Sequence, residues 1–136
     1  MNNCSLFCQI LSGINWWWFA AAVVVTFGVG AIWYSWLFAK TWMKVFKVEM
    51  GEVTTGSIFR TMFLQFVANL LFGLTFFVLT QLSVWIALLS LAGFCAWEKG
   101  NLNFEFAKVK DFIMAVVIRV GYTFLAGIIF ILFASI

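Results

Sequence analysis

Arg119 is the residue of this 136-residue chain whose chemistry most needs a partner. It interrupts an apolar run from Phe112 to Phe133. At 1.5 Å of helix rise per residue it lies about 10 Å beyond Phe112. If lipid surrounds that run, a charge at such depth costs roughly 2.5–3.5 kcal/mol on insertion scales, so it must face an interior, a wet cavity or a carboxylate. The same count on the run 61–80 reaches Gln65 and Asn69, and on the run 14–38 it reaches Ala31 to Tyr34. With Tyr122 beside Arg119, the candidate ligand-binding layer is Arg119, Gln65, Asn69, Trp33, Tyr34 and Tyr122. Amide carbonyls there would accept from the guanidinium, and the rings would stack on a planar ligand or face a cation. The chemistry is recognition of a small polar or anionic molecule. The structural alternative is that Arg119 snorkels to headgroups or pairs with Asp111, Glu98 or Glu105, while Trp33 and Tyr34 seat a helix end and hydrogen-bond across the bundle.

Other chemistries find little material. Histidine is absent, which removes the commonest metal ligand and general base. Cys4 and Cys8 stand one helical turn apart without the further ligands that zinc needs, so no metal and no cofactor is expected. A disulfide between them is an option if they lie outside the cell, with Cys95 as a small packing residue. No carboxylate lies deep in an apolar run, which disfavours proton-coupled transport. No nucleophile stands paired with a base, so no catalytic residue is assigned and the chain reads as a non-enzyme.

The elements that must position Arg119 are membrane spans. The chain is 65% hydrophobic and only 10% charged, with a mean hydropathy of +1.10, where soluble domains carry about a quarter charged residues. Four apolar runs, 14–38, 61–80, 82–97 and 112–133, predict an all-α integral membrane protein. Its architecture would be one domain, 1–136, with four transmembrane helices in an up-down bundle. The third run is short and draws on Leu82 and Ser83 to cross.

Seven of the eight basic residues fall in two connections: Lys40, Lys44, Lys47 and Arg60 in one, Lys99, Lys108 and Lys110 in the other. The connection at Gln81–Ser83 and both termini are uncharged. Cationic loops stay cytoplasmic, so both termini are expected outside, in a bacterial inner membrane. The net charge of +3 is then a topology signal and not a nucleic-acid footprint. Tryptophan draws the same boundaries, with Trp16, Trp17, Trp18 and Trp85 at outer ends and Trp36, Trp42 and Trp97 at or beyond inner ends. The first dozen residues lack a basic start and a cleavage site, and read as a short extension into the first span.

Lys40, Lys44 and Lys47 recur at helical spacing beside Trp42, Met43, Val45 and Phe46. This predicts a basic interfacial helix reaching about Met50, ending at Gly51, with its lysines on lipid headgroups. The segment 100–110 is expected to be the second polar connection. Small and polar residues mark where helices meet in lipid. The candidate seams are Ala21, Val24, Gly28, Ala31 and Ser35 in the first span; Thr61, Gln65, Asn69 and Gly73 in the second; Ala87, Ser90 and Gly93 in the third; and Ala115, Arg119, Thr123 and Ala126 in the fourth. Seams to spare on so thin a bundle predict a homo-oligomer.

Asn15-Trp16, Gly30-Ala31-Ile32-Trp33-Tyr34-Ser35, Phe38, Lys40 and Trp42, with Gly121-Tyr122 in the last span, resemble the bacterial membrane family called domain of unknown function 1761. The resemblance runs from Asn15 to the C-terminus and implies four spans without implying an activity. The chain departs from that pattern at Trp36, where members often carry proline, and at Arg119, where they often carry asparagine.

The sequence thus supports a small multi-pass membrane protein that binds or passes a small polar or anionic solute through an inner-leaflet layer. The second reading is a structural or regulatory component whose basic helix engages anionic lipid or a cytosolic partner. Membrane lipids are partners under both.

Overall fold

A computed structural model describes the backbone of residues 3–47, 55–105 and 109–136, and side chains from Cys8 onward except at 57–58, 103–105 and 109. Among the described residues every regular element is helical: α1 (Asn3–Ser12), α2 (Trp16–Ile32), a π-helical turn (Trp33–Leu37), α3 (Ala39–Val45), α4 (Thr55–Leu82), α5 (Val84–Glu105) and α6 (Val109–Ala134). Three stretches are long and apolar enough to cross a membrane: Trp16–Leu37, Phe59–Leu82 and Lys110–Ala134, of 22, 24 and 25 residues. α5 is long enough but turns polar after Trp97, at Glu98, Lys99 and Asn101.

With no proline in the chain, side chains and turns set the breaks. Asn15 caps α2 by accepting from the backbone N–H groups of Trp17 and Trp18, at 3.2 and 3.4 Å. A single residue, Ser83, separates α4 from α5, and its hydroxyl accepts from the Trp85 N–H at 3.2 Å. The Gln81–Ser83 connection is therefore tighter than the sequence suggested, because Ser83 is both corner and cap. At the far end of α2 the Phe38 N–H bonds back to the Trp33 carbonyl at 3.0 Å, which closes the wider π turn, and Phe38 leaves helical geometry at φ −121°, ψ 7°. There the chain bends and α3 packs against α6.

Ring and backbone contacts fix the sense of each pairing. Phe19 meets Phe77 and Phe27 meets Phe66, so α2 and α4 run antiparallel. Trp18 meets Phe133 while Trp33 reaches Ile118, so α2 and α6 do too. Phe72 against Phe94 spans the Ser83 corner. The larger core holds Ala22, Val23, Phe77, Leu91 and Phe130. A Cβ on Gly127 would collide with Leu91, so glycine sets how closely α5 and α6 approach. A smaller core of Val45, Leu102 and Ala115 closes the lysine-rich end. Large apolar side chains elsewhere face outward, Trp17, Trp36, Trp85 and Trp97 among them.

Three expectations need correction. The basic helix stops at Val45, well before Met50. Val45 is buried against α6, and Lys47 takes a left-handed conformation, φ 51°, ending the helix without glycine. Its expected end at Met50 and Gly51 lies outside the described residues. The polar connection 100–110 is helical through Glu105, because Leu102 is fully buried and carries α5 onward. Last, Val24, Gly28, Ala31 and Ser35 of the first-span seam are exposed. The inward face of α2 is Ala22, Val23, Thr26 and Gly30 instead. In so uniformly apolar a helix, hydropathy does not mark the buried face; close approach to α6 does.

Candidate functional site

A cavity of about 480 Å³ lies near the lysine-rich end, with walls from α2 and its π turn, α3, α4 and α6. That volume falls within the roughly 300–1,000 Å³ of small-molecule sites. α6 supplies Arg119 and Tyr122; the α2 side supplies Phe27, Gly30, Ala31 and Tyr34. From α4 come Thr61, Met62 and Gln65, one wall on a single helical stripe, and Trp42 and Phe46 of the α3 segment line the basic end.

Two details of local folding make room for this arrangement. The first is the approach of Tyr122 to α2. Its hydroxyl donates to the Thr26 carbonyl at 3.2 Å, and its ring lies over Gly30 where a Cβ would sit 2.6 Å from the phenolic oxygen. The second is the π turn, whose extra residue per turn rotates the side chains that follow it. Tyr34, the second residue of that turn, meets Tyr122 edge-on at 5.4 Å between ring centroids.

Arg119 is held from two sides. Its Nε lies 3.5 Å from Glu98 Oε1 of α5, and its guanidinium carbon lies 5.9 Å from the centre of the Phe46 ring. The guanidinium is about one-third exposed, 36%, whereas Glu98 is 17% exposed. The second carboxylate oxygen, Oε2, is buried and has no hydrogen-bond partner among the described residues. A pair arranged purely for stability would satisfy both oxygens, since an orphaned buried acceptor costs about 1–3 kcal/mol. Of the three partners open to Arg119 in the sequence, Glu98 is the one it meets among the described residues.

The cavity brings together four of the six residues expected in the polar layer: Arg119, Gln65, Tyr34 and Tyr122. The other two are elsewhere. Asn69 is buried one turn beyond Gln65, where its Nδ2 donates to the Val23 carbonyl at 3.4 Å and ties α4 to α2 instead of accepting from Arg119. Trp33 points away from the cavity. Its Nε1 donates to the Ile118 carbonyl at 2.9 Å, and its ring packs on Phe38 and beside Gly121. That is the cross-bundle structural role weighed for it. Thr61, Trp42 and Phe46 were missed as site residues. Thr61 was legible as the first member of the Gln65 stripe, while Trp42 and Phe46, spaced i, i+4, read only as lipid-facing area.

Lys40, Lys44 and Lys47 are all exposed on the α3 segment, clear of the cavity lining. Cys8 and Cys95 are free thiols, and a Cys4–Cys8 disulfide involves a side chain outside the described residues. Among the described residues no cluster of three potential metal ligands occurs. No family model matches this sequence, and no curated protein or solved structure matches it.

Proposed function

We propose that this chain is a four-span inner-membrane protein that binds a small anionic or polar molecule in the cavity around Arg119. α5 would be the fourth span, crossing with its apolar stretch Val84–Trp97 and completing an up-down bundle. Its one-residue corner with α4 and its antiparallel packing on α6 favour a crossing over a surface position. The lysine-rich end would then face the cytoplasm and both termini the outside.

The observation that carries the reading is the placement of one charged side chain in a cavity whose other walls are uncharged and mainly aromatic and apolar. Glu98 and Phe46 orient it, and Thr61, Gln65 and Tyr34 stand on the facing walls. Such a lining binds and orients; it offers a donor fork, an amide and hydroxyls, with no nucleophile paired to a base. Binding, not catalysis, is the function it fits. Passage of the ligand across the membrane would follow only if the outer half opened as well.

The test is co-purification and stabilisation. Organic extracts of wild-type protein should contain a small acid that extracts of Arg119→Gln lack. That acid, added back, should raise the unfolding temperature of the wild type alone. Identical extracts, with no acid stabilising either protein, would overturn the reading.

A second reading rests on α3. Its buried Val45 and exposed Lys40 and Lys44 give it one face for protein and one for anionic headgroups, suited to a lipid-sensing or partner-docking element. The exposed stripe Val24, Gly28, Ala31 and Ser35 supports self-association of the chain.

A further inference from the structure

The exposed residues of the cavity lining bear on what enters it. Phe27 against Phe66, 5.8 Å between centroids, is the ring contact between α2 and α4 nearest the basic end. Beyond it the two helices stand on opposite walls of the cavity. Ala31 on one wall and Thr61, Met62 and Gln65 on the other are all exposed. These helices are candidate membrane spans, so what lies outside that gap is lipid. Toward the basic end, half-buried Trp42 and Phe46 stand across the cavity, and α3 is anchored there by Val45 in the small core with Leu102 and Ala115.

The polarity of the cavity is graded along the same direction. Its charged group is at the basic end, where Arg119 meets Glu98 and Phe46. At the opposite end the walls are Phe27, Gly30 and the Tyr122 ring, whose hydroxyl is directed to the Thr26 carbonyl, with the Gln65 amide, next to Phe66, as the polar group at that level. A cation at one end and an uncharged, mainly apolar slot at the other, entered from the bilayer, match a molecule with an acidic head and one apolar chain. A fully hydrated anion would have to cross hydrocarbon to reach the same place.

We infer that the ligand is a single-chain anionic amphiphile taken from the inner leaflet through the gap between α2 and α4. Its acidic head sits at Arg119, and its chain lies toward Phe27 and Gly30. The inference rests on the proposed binding function and names its ligand class. Glu98 acts as a positioning residue: it holds the Nε edge of Arg119 so that the guanidinium stays on the cavity wall.

The probe is palmitate, presented to purified full-length protein in a neutral detergent and read by native mass spectrometry and by thermal stabilisation. Acetate and inorganic phosphate are the soluble arms, and palmityl alcohol is the uncharged one. Wild type should retain one palmitate and be stabilised by it, with no competition from acetate or phosphate. Arg119→Gln should bind at least about tenfold more weakly, the scale of a lost charge-assisted hydrogen bond. Palmityl alcohol should bind wild type and Arg119→Gln alike and weakly. Ala31→Trp should block the gap and abolish binding with Arg119 intact; Met62→Trp repeats that test from the opposite wall.

Stabilisation by phosphate or acetate but not palmitate would overturn the lateral, amphiphilic inference and leave the anion site standing. Equal palmitate binding by wild type, Arg119→Gln and both tryptophan variants would overturn it as mere adsorption to the apolar surface. No binding in any arm would remove the site altogether.

Discussion

Tyr122 and Gly30 are matched in shape: the phenolic ring of α6 occupies the space a side chain on α2 would fill. The contact admits the Tyr122–Thr26 hydrogen bond and sets the depth of the cavity. Gly30→Ala should therefore push the ring aside and break that bond. Overpacking of this kind costs about 1–3 kcal/mol, seen as a lower unfolding temperature in detergent. Tyr122→Phe removes the oxygen nearest the new methyl, so the double variant should lose less than the sum of the singles. Strict additivity would show that the two residues do not touch.

Glu98 and Arg119 form a half-exposed ion pair, and its worth is testable apart from any ligand. Breaking a fully buried pair costs 3–5 kcal/mol, but a guanidinium about one-third exposed keeps water, so Glu98→Ala should cost about 1–2 kcal/mol. Glu98→Gln preserves shape and an acceptor and should cost less. Replacing both residues, as in Arg119→Met with Glu98→Leu, should recover most of the loss, because no charge is then stranded. Chemical unfolding of the four proteins distinguishes these outcomes.

How much of this was legible before the fold was known divides along a physical line. Counting residues along helices gives depth, and depth grouped Arg119, Gln65, Tyr34 and Tyr122, which line one cavity. Depth does not give azimuth. Asn69 and Trp33 are close to the right level but face Val23 and Ile118, and only the packing of α2 on α4 and α6 decides that. The same limit left open whether the α2 seam faces the bundle or a second copy, since a helix apolar all round carries no moment to orient it. The π turn and the run of α5 to Glu105 were illegible for another reason. Both follow from single tertiary contacts, Trp33 on α6 and Leu102 in the small core.

Glycines of identical local sequence character should behave oppositely. A Cβ at Gly73 would strike the Phe130 ring and one at Gly127 would strike Leu91, whereas Gly28 and Gly93 have nothing within 4 Å. Alanine at Gly73 or Gly127 should lower stability by about 1–3 kcal/mol. At Gly28 or Gly93 it should raise stability by about 0.4–1 kcal/mol through the unfolded chain alone. A loss at Gly28, where one chain offers no contact, would instead identify its stripe as a meeting place for a second copy. Crosslinking of Gly28→Cys in a background lacking Cys4, Cys8 and Cys95 reads that directly.

Lys47 holds a positive φ of 51°, a conformation that L side chains adopt at a cost of about 1–2 kcal/mol. Lys47→Gly relieves it and should stabilise the end of α3 by about 1 kcal/mol after the entropy of the more flexible unfolded chain is subtracted. A β-branched Lys47→Val should do the opposite. Hydrogen exchange at the amides of Val45 and Phe46 reports the change locally, and unchanged protection in both variants would argue against the left-handed cap.

The four-span reading fixes which face each terminus occupies. With four spans, Gln9 on α1 and Ser135 just beyond α6 share a face, and Lys44 and Lys99 share the other, as the contact of Trp18 with Phe133 requires. All four side chains are exposed and accept a cysteine without disturbing a core. In the background lacking native cysteines, a membrane-impermeant maleimide should label Gln9→Cys and Ser135→Cys in intact cells. Lys44→Cys and Lys99→Cys should react only after permeabilisation. Labelling of Gln9→Cys and Ser135→Cys from opposite sides would contradict the four-span reading and also the packing of Trp18 on Phe133.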